Sequence, residues 1–273
     1  MNLAFVKMTG AGNDFVCLNN LKDNLSLSKR QIAKICDRHF GVGADGMLIA
    51  EKSSISDISY RMRYHNADGG QAEMCGNGAR CFANYLRNFC GLSKKRNEVS
   101  FMTKAGVIKA TFLPNEEVKV QLTAPKNLKL DLPLKLSGGK CKAHSLDTGV
   151  PHALIFVQDL EALDISRMGR EVRNHEVFRP AGTNVNFVQQ TGKNAIRVRT
   201  YERGVEDETL ACGTGVTAAA LVSHLKLGMG KSIKVKVQGG PTLKVAFNVE
   251  SEKFTDVSLT GPATVCYKGT IEI

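Results

Sequence analysis

The sequence predicts an α+β protein of two similar halves, each a mainly antiparallel β-sheet around one buried helix. Three observations indicate this fold class. A Cys-Gly-x-Gly motif occurs at Cys75 and again at Cys212, 137 residues later in a chain of 273. Tyr64 and Tyr201 precede the two motifs at the same separation, so one unit is present twice. Strand-like runs dominate both halves, and a helix-like run follows each motif.

Strands are predicted where β-branched and aromatic residues form short runs between turn residues. In the first half these runs cover residues 3–8, 15–18, 47–50, 58–64, 99–103, 106–112 and 118–122. In the second half they cover residues 152–157, 183–189, 195–201, 233–237, 243–247, 254–259 and 265–273. Gly, Pro and Asn residues separate the runs, as turns between strands require.

Helices are predicted at four places. Ser28 and Gln31 form a capping box ahead of an apolar face. Residues 77–89 carry apolar residues at amphipathic spacing, and a weaker helical pattern covers residues 166–174. Residues 216–227 are apolar on nearly every side, which is typical of a fully buried helix.

The two halves are expected to be two domains, each with one cysteine motif. Their boundary is predicted within residues 113–142, where Pro, Gly and Lys accumulate. The first domain is expected over residues 1–120, completed by the last strand at 262–273, and the second over residues 121–261.

The composition is that of an ordinary globular protein with a basic balance. The chain has 37 Lys and Arg against 26 Asp and Glu, a net charge of +11. The basic residues are scattered and lack interleaved aromatic residues, which favours a solvated surface over a nucleic-acid partner. No apolar run approaches the ~18 residues that span a bilayer, and no secretory segment is visible, so no membrane partner is expected and the cytoplasm is the predicted location.

The eight cysteines are too sparse for a disulfide scaffold, and no Cys-x-x-Cys occurs. Cys36 and His39 lack a second pair of ligands nearby, so no metal site is predicted. Most cysteines are expected to be small buried apolar residues. Only Cys75 and Cys212 stand out by context.

A cysteine at a helix start can be both a proton-transfer group and part of an anion site. The helix N-terminus presents unpaired N–H groups and a partial positive charge, which favours a thiolate and attracts a carboxylate. Two such thiols can remove a proton from one face of a carbon and return one to the other face. No lysine has a context that indicates a pyridoxal phosphate aldimine, so no cofactor is predicted.

Seven stretches, spread in order over nearly the whole chain, extend the pattern beyond the two motifs. They are residues 7–15 (KMTGAGNDF), 37–46 (DRHFGVGADG), 66–69 (NADG), 73–80 (EMCGNGAR), 182–187 (GTNVNF), 201–204 (YERG) and 211–215 (ACGTG). With these stretches the chain resembles the diaminopimelate epimerases. The resemblance implies two pseudo-symmetric domains, each a sheet or barrel wrapped around a central helix, that close on the substrate.

The resemblance also implies the activity. Members of the family interconvert LL- and meso-2,6-diaminopimelate without a cofactor, in lysine and peptidoglycan precursor synthesis, and are often homodimers. One cysteine acts as thiolate base and the other as thiol acid, and Cys75 and Cys212 match these positions. The implied partners are therefore diaminopimelate and a second copy of the chain.

Further roles follow from the resemblance residue by residue. His152 and Glu202 match the residues that lie beside the first and the second cysteine and tune their proton affinity. The positions that match substrate-binding residues are Asn13, Asn66, Gly76, Asn77, Asn184, Glu202, Arg203, Gly213 and Thr214. Among them, Gly76-Asn77 and Gly213-Thr214 match the loops that bind the reacting carboxylate, and Arg203 can hold the distal carboxylate with two hydrogen bonds.

Two positions depart from the family pattern. Gly46 stands where the family often has Gln, and Val150 stands where it often has Asn. Both usual residues have amide side chains that contact the substrate, and neither Gly46 nor Val150 can donate a side-chain hydrogen bond. The distal part of the substrate is therefore expected to be held by other groups.

Three other functions are compatible with parts of the pattern. A proline racemase or hydroxyproline epimerase would usually carry His where this chain has Asn77, and would lack the Tyr-Glu-Arg-Gly segment at residues 201–204. A thiol-based redox or anion-binding protein without turnover is a second alternative, although the absence of Cys-x-x-Cys argues against redox chemistry. A basic nucleic-acid binder is the third.

Overall fold

The structure is a computed structural model that describes residues 1–22 and 25–273. The chain divides into two units: Met1–Gln121 together with Thr260–Ile273, and Leu122–Leu259. Within the described part of the chain, no helix has both the length and the apolar character to cross a bilayer.

The first unit combines a long succession of strands with two helices. Its strands are β1 (Asn2–Gly10), β2 (Asn13–Asn19), β3 (Gly46–Lys52), β4 (Tyr60–Asn66), β5 (Glu98–Thr103), β6 (Gly106–Phe112), β7 (Glu117–Gln121) and β17 (Thr264–Glu272). Its helices are α1 (Lys29–Cys36) and α2 (Gly76–Phe89). The predicted capping box at Ser28 and Gln31 is present at the start of α1.

The strands of the first unit pair in the order β17–β1–β2–β3–β4–β5–β6–β7. The pairs β2–β3 and β4–β5 are parallel, and the others are antiparallel. Parallel neighbours require a crossover connection, which α1 and α2 supply.

The second unit has the same kind of elements. Its strands are β8 (Lys126–Leu136), β9 (Gly139–Asp147), β10 (Pro151–Phe156), β11 (Asn184–Gly192), β12 (Ala195–Glu202), β13 (Asp207–Thr209), β14 (Ser232–Val237), β15 (Thr242–Glu250) and β16 (Lys253–Pro262), the last of which ends just beyond the unit's boundary. Its helices are α3 (Ile165–Arg173) and α4 (Gly213–Leu227).

Strand pairing in the second unit follows the order β8–β9–β10–β11–β12–β14–β15, with β13 also paired to β12. Again two pairs are parallel, β10–β11 and β12–β14, and α3 and α4 connect them. Both units thus contain the same succession of parallel and antiparallel pairs. The predicted α+β class with two similar halves is confirmed.

Helices α2 and α4 lie at the centre of their units. Helix α2 contacts β1, β2, β3, β4, β6 and β7, and α4 contacts β9, β10, β11, β12, β14 and β15. In α4 nearly every residue from Gly213 to Ser223 is buried, as the all-round apolar pattern predicted. Each helix begins directly after its motif cysteine, one to three residues earlier than predicted, because glycine has low helix propensity and masks the first turn.

Strands β8, β9 and β13 were not predicted from the sequence. Residues 126–147, which overlap the predicted boundary, form the β8–β9 antiparallel hairpin. The signal was present, since leucine alternates with other residues from Leu128 to Leu136. The alternation was not recognised as a strand because β8 has three Lys, one Asn, one Asp and one Pro among its eleven residues, all poor strand formers. Its pairing register also shifts twice between Lys126 and Leu132.

Candidate active site

Cys75 is the N-cap residue of α2. Its backbone is extended, at φ −141° and ψ 123°, and its Sγ accepts a hydrogen bond from the Gly78 N–H at 3.4 Å. The thiol also lies 3.4 Å from Asn13 Oδ1, to which it donates. Cys75 therefore has a backbone donor that favours the thiolate and a side-chain acceptor that favours the thiol.

Asn13 and Asn77 lie together beside Cys75. Asn77 Nδ2 donates to Asn13 Oδ1 at 3.3 Å, and Asn13 Nδ2 donates to Asp45 Oδ2 at 2.8 Å. On its other side, Asn77 Oδ1 accepts from Arg80 Nη2 at 3.0 Å. The structure thus brings together three residues that the sequence singled out, and it adds Asp45 and Arg80 to them.

Cys212 is the N-cap residue of α4 and is buried. Its Sγ lies 3.4 Å from Thr214 Oγ1, and Thr217 Oγ1 donates to the Gly213 carbonyl at 2.9 Å. Thr148, which follows β9, donates from Oγ1 to the Thr214 carbonyl at 2.8 Å. The first turn of α4 is therefore fixed by hydroxyl groups on two elements, with the thiol at its N-terminal end.

His152 lies in β10 and is fully buried beside α4. Asn186 Nδ2 donates to His152 Nδ1 at 3.1 Å and to the Ala153 carbonyl at 3.2 Å, while Asn186 Oδ1 accepts from Thr200 Oγ1 at 2.9 Å. These bonds fix the amide orientation, so Nδ1 of His152 is the acceptor and the ring proton is on Nε2. Within the described residues His152 Nε2 has no hydrogen-bond partner, which leaves a buried donor available to a ligand.

Burial, together with the nearby Arg203 charge, lowers the pKa of His152 to about 3. The unfolded chain would protonate this histidine at about 6.5. Between pH 6.5 and 3 the unfolded state therefore binds more protons than the folded state. The contribution of the neutral His152 to the free energy of unfolding is lost as the pH falls through this range. We expect the unfolding free energy from urea titrations to fall more steeply with acidification than in His152→Gln, by up to about 1.4 kcal/mol per pH unit. Parallel slopes for the two proteins would contradict this assignment.

Asn184, Glu202 and Arg203 occupy adjacent positions on β11 and at the end of β12. Asn184 Nδ2 donates to the Pro151 carbonyl at 3.1 Å, and Asn184 Oδ1 accepts from the Arg203 N–H at 2.9 Å. The Arg203 guanidinium donates from Nη1 to the Ala181 carbonyl at 3.1 Å, and the Glu202 carbonyl accepts from the backbone of the following turn at 2.8 Å. The Arg203 side chain is half-buried, so it keeps donors for a ligand.

Asn66 and Gly46 are paired across β4 and β3. Asn66 is exposed, and its N–H donates to the Gly70 carbonyl at 2.9 Å. A Cβ atom at Gly46 would lie 2.5 Å from the His65 carbonyl oxygen, so this backbone has no room for the glutamine common in the family. Val150 is half-buried and supplies no side-chain donor.

Burial raises the pKa of all six thiols outside the motifs, to about 12 for Cys36, Cys81 and Cys90. Burial also raises the pKa of the Cys17, Cys141 and Cys266 thiols. These thiols stay protonated at neutral pH and are poor bases. Across residues 1–22 and 25–273, no group of three or more His, Cys, Asp or Glu side chains is placed to hold a metal ion.

Four residues contact predicted site residues but were not predicted themselves: Asn186, Thr148, Asp45 and Arg80. For Asn186 a signal existed, because Asn184 and Asn186 are two apart in a strand of otherwise apolar residues and must face the same side. Asp45 and Arg80 were inside stretches that carried the family resemblance but received no role. Asp45 contacts Asn13, which is 32 residues away in the sequence, so only the fold reveals this contact. Arg80 contacts Asn77, which is 3 residues away on the same helix.

Comparison with known sequences identifies one family over most of the chain. The sequence model described as diaminopimelate epimerase matches residues 5–128 and 144–266. A diaminopimelate epimerase of Aquifex aeolicus is 42% identical over 282 residues, which cover 98% of this chain and 98% of the relative. One from Chlorobaculum tepidum is 40% identical over 268 residues, which cover 97% of this chain and all of the relative.

Solved structures with the same fold have much lower sequence identity. A phenazine biosynthesis protein of the PhzF family from Bacillus anthracis has a TM-score of 0.77 at 18% identity, with 100% of both chains covered. A hydroxyproline epimerase from Agrobacterium vitis with bound trans-4-OH-L-proline has a TM-score of 0.77 at 15% identity, covering 99% of this chain and 92% of its own. At these identities the likeness concerns the fold alone.

Proposed function

Since this chain belongs to the diaminopimelate epimerase family, we propose that it is an isomerase that interconverts LL- and meso-2,6-diaminopimelate without a cofactor. The observation that carries the mechanism is the duplicated cysteine N-cap. Cys75 and Cys212 each begin a central helix whose first residues are Gly-x-Gly. The two units, Met1–Gln121 with Thr260–Ile273 and Leu122–Leu259, are on this proposal the two epimerase halves.

In the proposed reaction the two thiols act on opposite faces of one α-carbon. The cysteine that starts as thiolate removes the α-proton, and the electron pair remains on the substrate as a carbanion that its carboxylate delocalises. The other cysteine, starting as thiol, gives its proton to the opposite face. The configuration is inverted, the two sulfur atoms have exchanged protonation states, and the reverse reaction can start from the product.

A thiolate is a weak base for such a proton, so the carbanion must be stabilised. The backbone N–H groups at the starts of α2 and α4 point along the helix axis and are suited to bind the reacting carboxylate, through Gly76 and Asn77 and through Gly213 and Thr214. Glycine at the first helical position lets the carboxylate approach these N–H groups closely. The positive ends of the helix dipoles add to the stabilisation.

The remaining site residues are proposed to bind and orient the substrate. Asn13, Asn66, Asn184 and Arg203 would hold its distal amino and carboxylate groups, and Arg203 is held at the strand end by its bond to Ala181. The neutral His152 offers its unpaired Nε2–H as a donor, and Glu202 would adjust the proton affinity of the second cysteine. Because Gly46 leaves no side chain at its position, these groups carry the distal recognition.

The proposed enzyme would serve lysine and peptidoglycan precursor synthesis in the cytoplasm and work as a homodimer. These expectations rest on the family, whose relatives match over nearly their whole length. Sedimentation of the purified protein tests the dimer separately from the activity. A monomer with full activity would reject the dimer and leave the proposed reaction intact.

Exchange of the α-proton with solvent tests the function. The purified chain is incubated with LL-diaminopimelate in D₂O and followed by proton NMR. We expect the α-proton signal to disappear and meso-diaminopimelate with deuterium at the inverted carbon to form. Absence of exchange would reject the proposal.

L-Proline and trans-4-hydroxy-L-proline are the matched alternative substrates. A hydroxyproline epimerase shares the fold, and the sequence left this rival reaction open. We expect neither compound to exchange its α-proton, because Asn77 stands where those enzymes usually have His. Exchange with proline and none with diaminopimelate would favour the rival.

A further inference from the structure

Four side chains in the first unit form a hydrogen-bond chain with a defined direction. They are Arg80, Asn77, Asn13 and Asp45, and together they are called the amide relay. We infer that Arg80 and Asp45 are positioning residues that fix the orientation of Asn77 and Asn13, so that the Asn13 carbonyl oxygen faces the Cys75 thiol and holds it protonated before substrate binds. This inference rests on the proposed function, because it assigns Cys75 the starting role of thiol acid.

The Arg80 end of the relay is set by a buried guanidinium. Arg80 is 0% exposed, and it donates from Nη2 to Asn77 Oδ1 at 3.0 Å and from Nη1 to the Gly76 carbonyl at 3.4 Å. Its Nε donates to the Pro262 carbonyl at 3.4 Å. A guanidinium has only donors, so the Asn77 atom that faces it must be oxygen. Asn77 Nδ2 must then face the other way, toward Asn13.

At the other end of the relay, the hydrogen bond to Asp45 requires the same orientation of the amides, independently of Arg80. Asp45 Oδ2 accepts from Asn13 Nδ2 at 2.8 Å, and an ionised carboxylate has only acceptors. The Asn13 atom that faces it must be nitrogen, and Asn13 Oδ1 must face Asn77 and Cys75. Between the two ends, Asn77 Nδ2 donates to Asn13 Oδ1 at 3.3 Å. The hydrogen bonds to Arg80 and to Asp45 thus require the same orientation of the Asn77 and Asn13 amides.

Ion pairs keep the Asp45 carboxylate in place. Asp45 Oδ1 is 2.8 Å from Arg38 Nη2, and the same nitrogen is 2.9 Å from Asp14 Oδ1. Burial would raise the pKa of Asp14, but hydrogen bonds from Arg38 and Lys7 lower it to about 2, so Asp14 stays charged. The negative charge of Glu117 on β7 acts on Arg80. The other charged groups around the relay are Arg80 on α2, Lys7 on β1, Asp14 on β2, and Arg38 and Asp45 between α1 and β3.

The fixed orientation has a consequence for Cys75. Its Sγ is 3.4 Å from Asn13 Oδ1, an acceptor that attracts S–H and repels S⁻. If the Asn13 amide turned over, Nδ2 would face the sulfur and stabilise the thiolate instead. Asp45 opposes that rotation, because it would bring two acceptor oxygens together. The relay therefore stabilises the protonated form of Cys75. It opposes the hydrogen bond from the Gly78 N–H, which stabilises the thiolate.

The rate of Cys75 alkylation measures its thiolate fraction without any turnover. The folded chain is treated with iodoacetamide over a range of pH values, and alkylated Cys75 is quantified by peptide mass spectrometry. Asp45→Asn replaces an acceptor-only group with one that can also donate, and its side chain is 43% exposed, so the fold should be kept. We expect alkylation of Cys75 at pH 7 to rise about 3- to 10-fold, with the pH profile displaced to lower pH.

A double-mutant cycle distinguishes the relay from the mere loss of a charge. In an Asn13→Ala background the amide is gone, so Asp45→Asn should leave the alkylation rate unchanged within a factor of two. Asp68→Asn is the matched control, an exposed aspartate of the same unit that pairs with Lys29, and it should behave like the wild type. An equal effect of Asp45→Asn with and without the Asn13 amide, or no effect at all, would overturn the inference. Failure of the proposed epimerase function would appear instead as absent α-proton exchange with these alkylation results unchanged.

Discussion

Cys75→Ser and Cys212→Ser are each expected to lower the rate of epimerisation by at least about 10³-fold, within the range that general acid–base catalysis contributes. A serine hydroxyl ionises far above neutral pH, so it cannot serve as the base, and it is a much poorer proton donor than a thiol. Because every turnover uses one cysteine as base and the other as acid, the second thiol cannot compensate. The measurement is kcat/KM with both LL- and meso-diaminopimelate as substrate.

The two serine variants should also differ in the proton exchange that remains. Each keeps one thiol that can reach only one face of the α-carbon. We expect residual α-proton exchange in D₂O without inversion, from one stereoisomer in Cys75→Ser and from the other in Cys212→Ser. Cys266→Ser is the control, since this exposed thiol lies outside both motifs. Full activity in either motif variant would refute the two-base mechanism.

Much of the scaffold could be predicted from local sequence alone. The motif repeat indicated two similar halves, and the apolar run after Cys212 indicated a buried helix, because periodicity and capping are properties of neighbouring residues. The starts of α2 and α4 were predicted one and three residues too late, because Gly-x-Gly has low helix propensity until the cysteine N-cap and the tertiary packing fix it. Strand β8 was missed because its composition opposed its alternating pattern.

The polar contacts of the site could be predicted only in part. Asn13 and Cys75 are 62 residues apart, and His152 and Asn186 are 34 apart, so their hydrogen bonds depend on strand pairing and not on local pattern. The parallel register of β10 and β11 places His152 opposite Asn184, and with it Asn186 near the ring. Arg80 is fully buried, although arginine is usually exposed, so the sequence did not predict its position. Its burial depends on the hydrogen bonds to Asn77, Gly76 and Pro262 that only the fold supplies.

The repeated motif supplies a matched pair of glycines for the last prediction. Gly78 and Gly215 are equivalent, yet their surroundings differ. A Cβ at Gly78 would meet Leu48 Cδ2 at 3.3 Å, the flexible end of a side chain. A Cβ at Gly215 would lie 2.2 Å from Asn186 Oδ1 and 3.3 Å from His152 Cε1. The same substitution is therefore mild in the first unit and severe in the second.

Gly215→Ala is expected to lower the unfolding free energy by about 3 kcal/mol, and Gly78→Ala to change it by less than about 1 kcal/mol. Asn186 cannot move aside without giving up its bonds to Thr200, Ala153 and His152, and buried polar groups left unpaired add to the steric cost. Urea unfolding of both variants measures the difference. If the clash is the cause, Asn186→Ala should cost less in the Gly215→Ala background than in the wild type, because the colliding oxygen is already displaced. Equal losses in the two glycine variants would show that the tight contact at Gly215 does not govern the stability of this site.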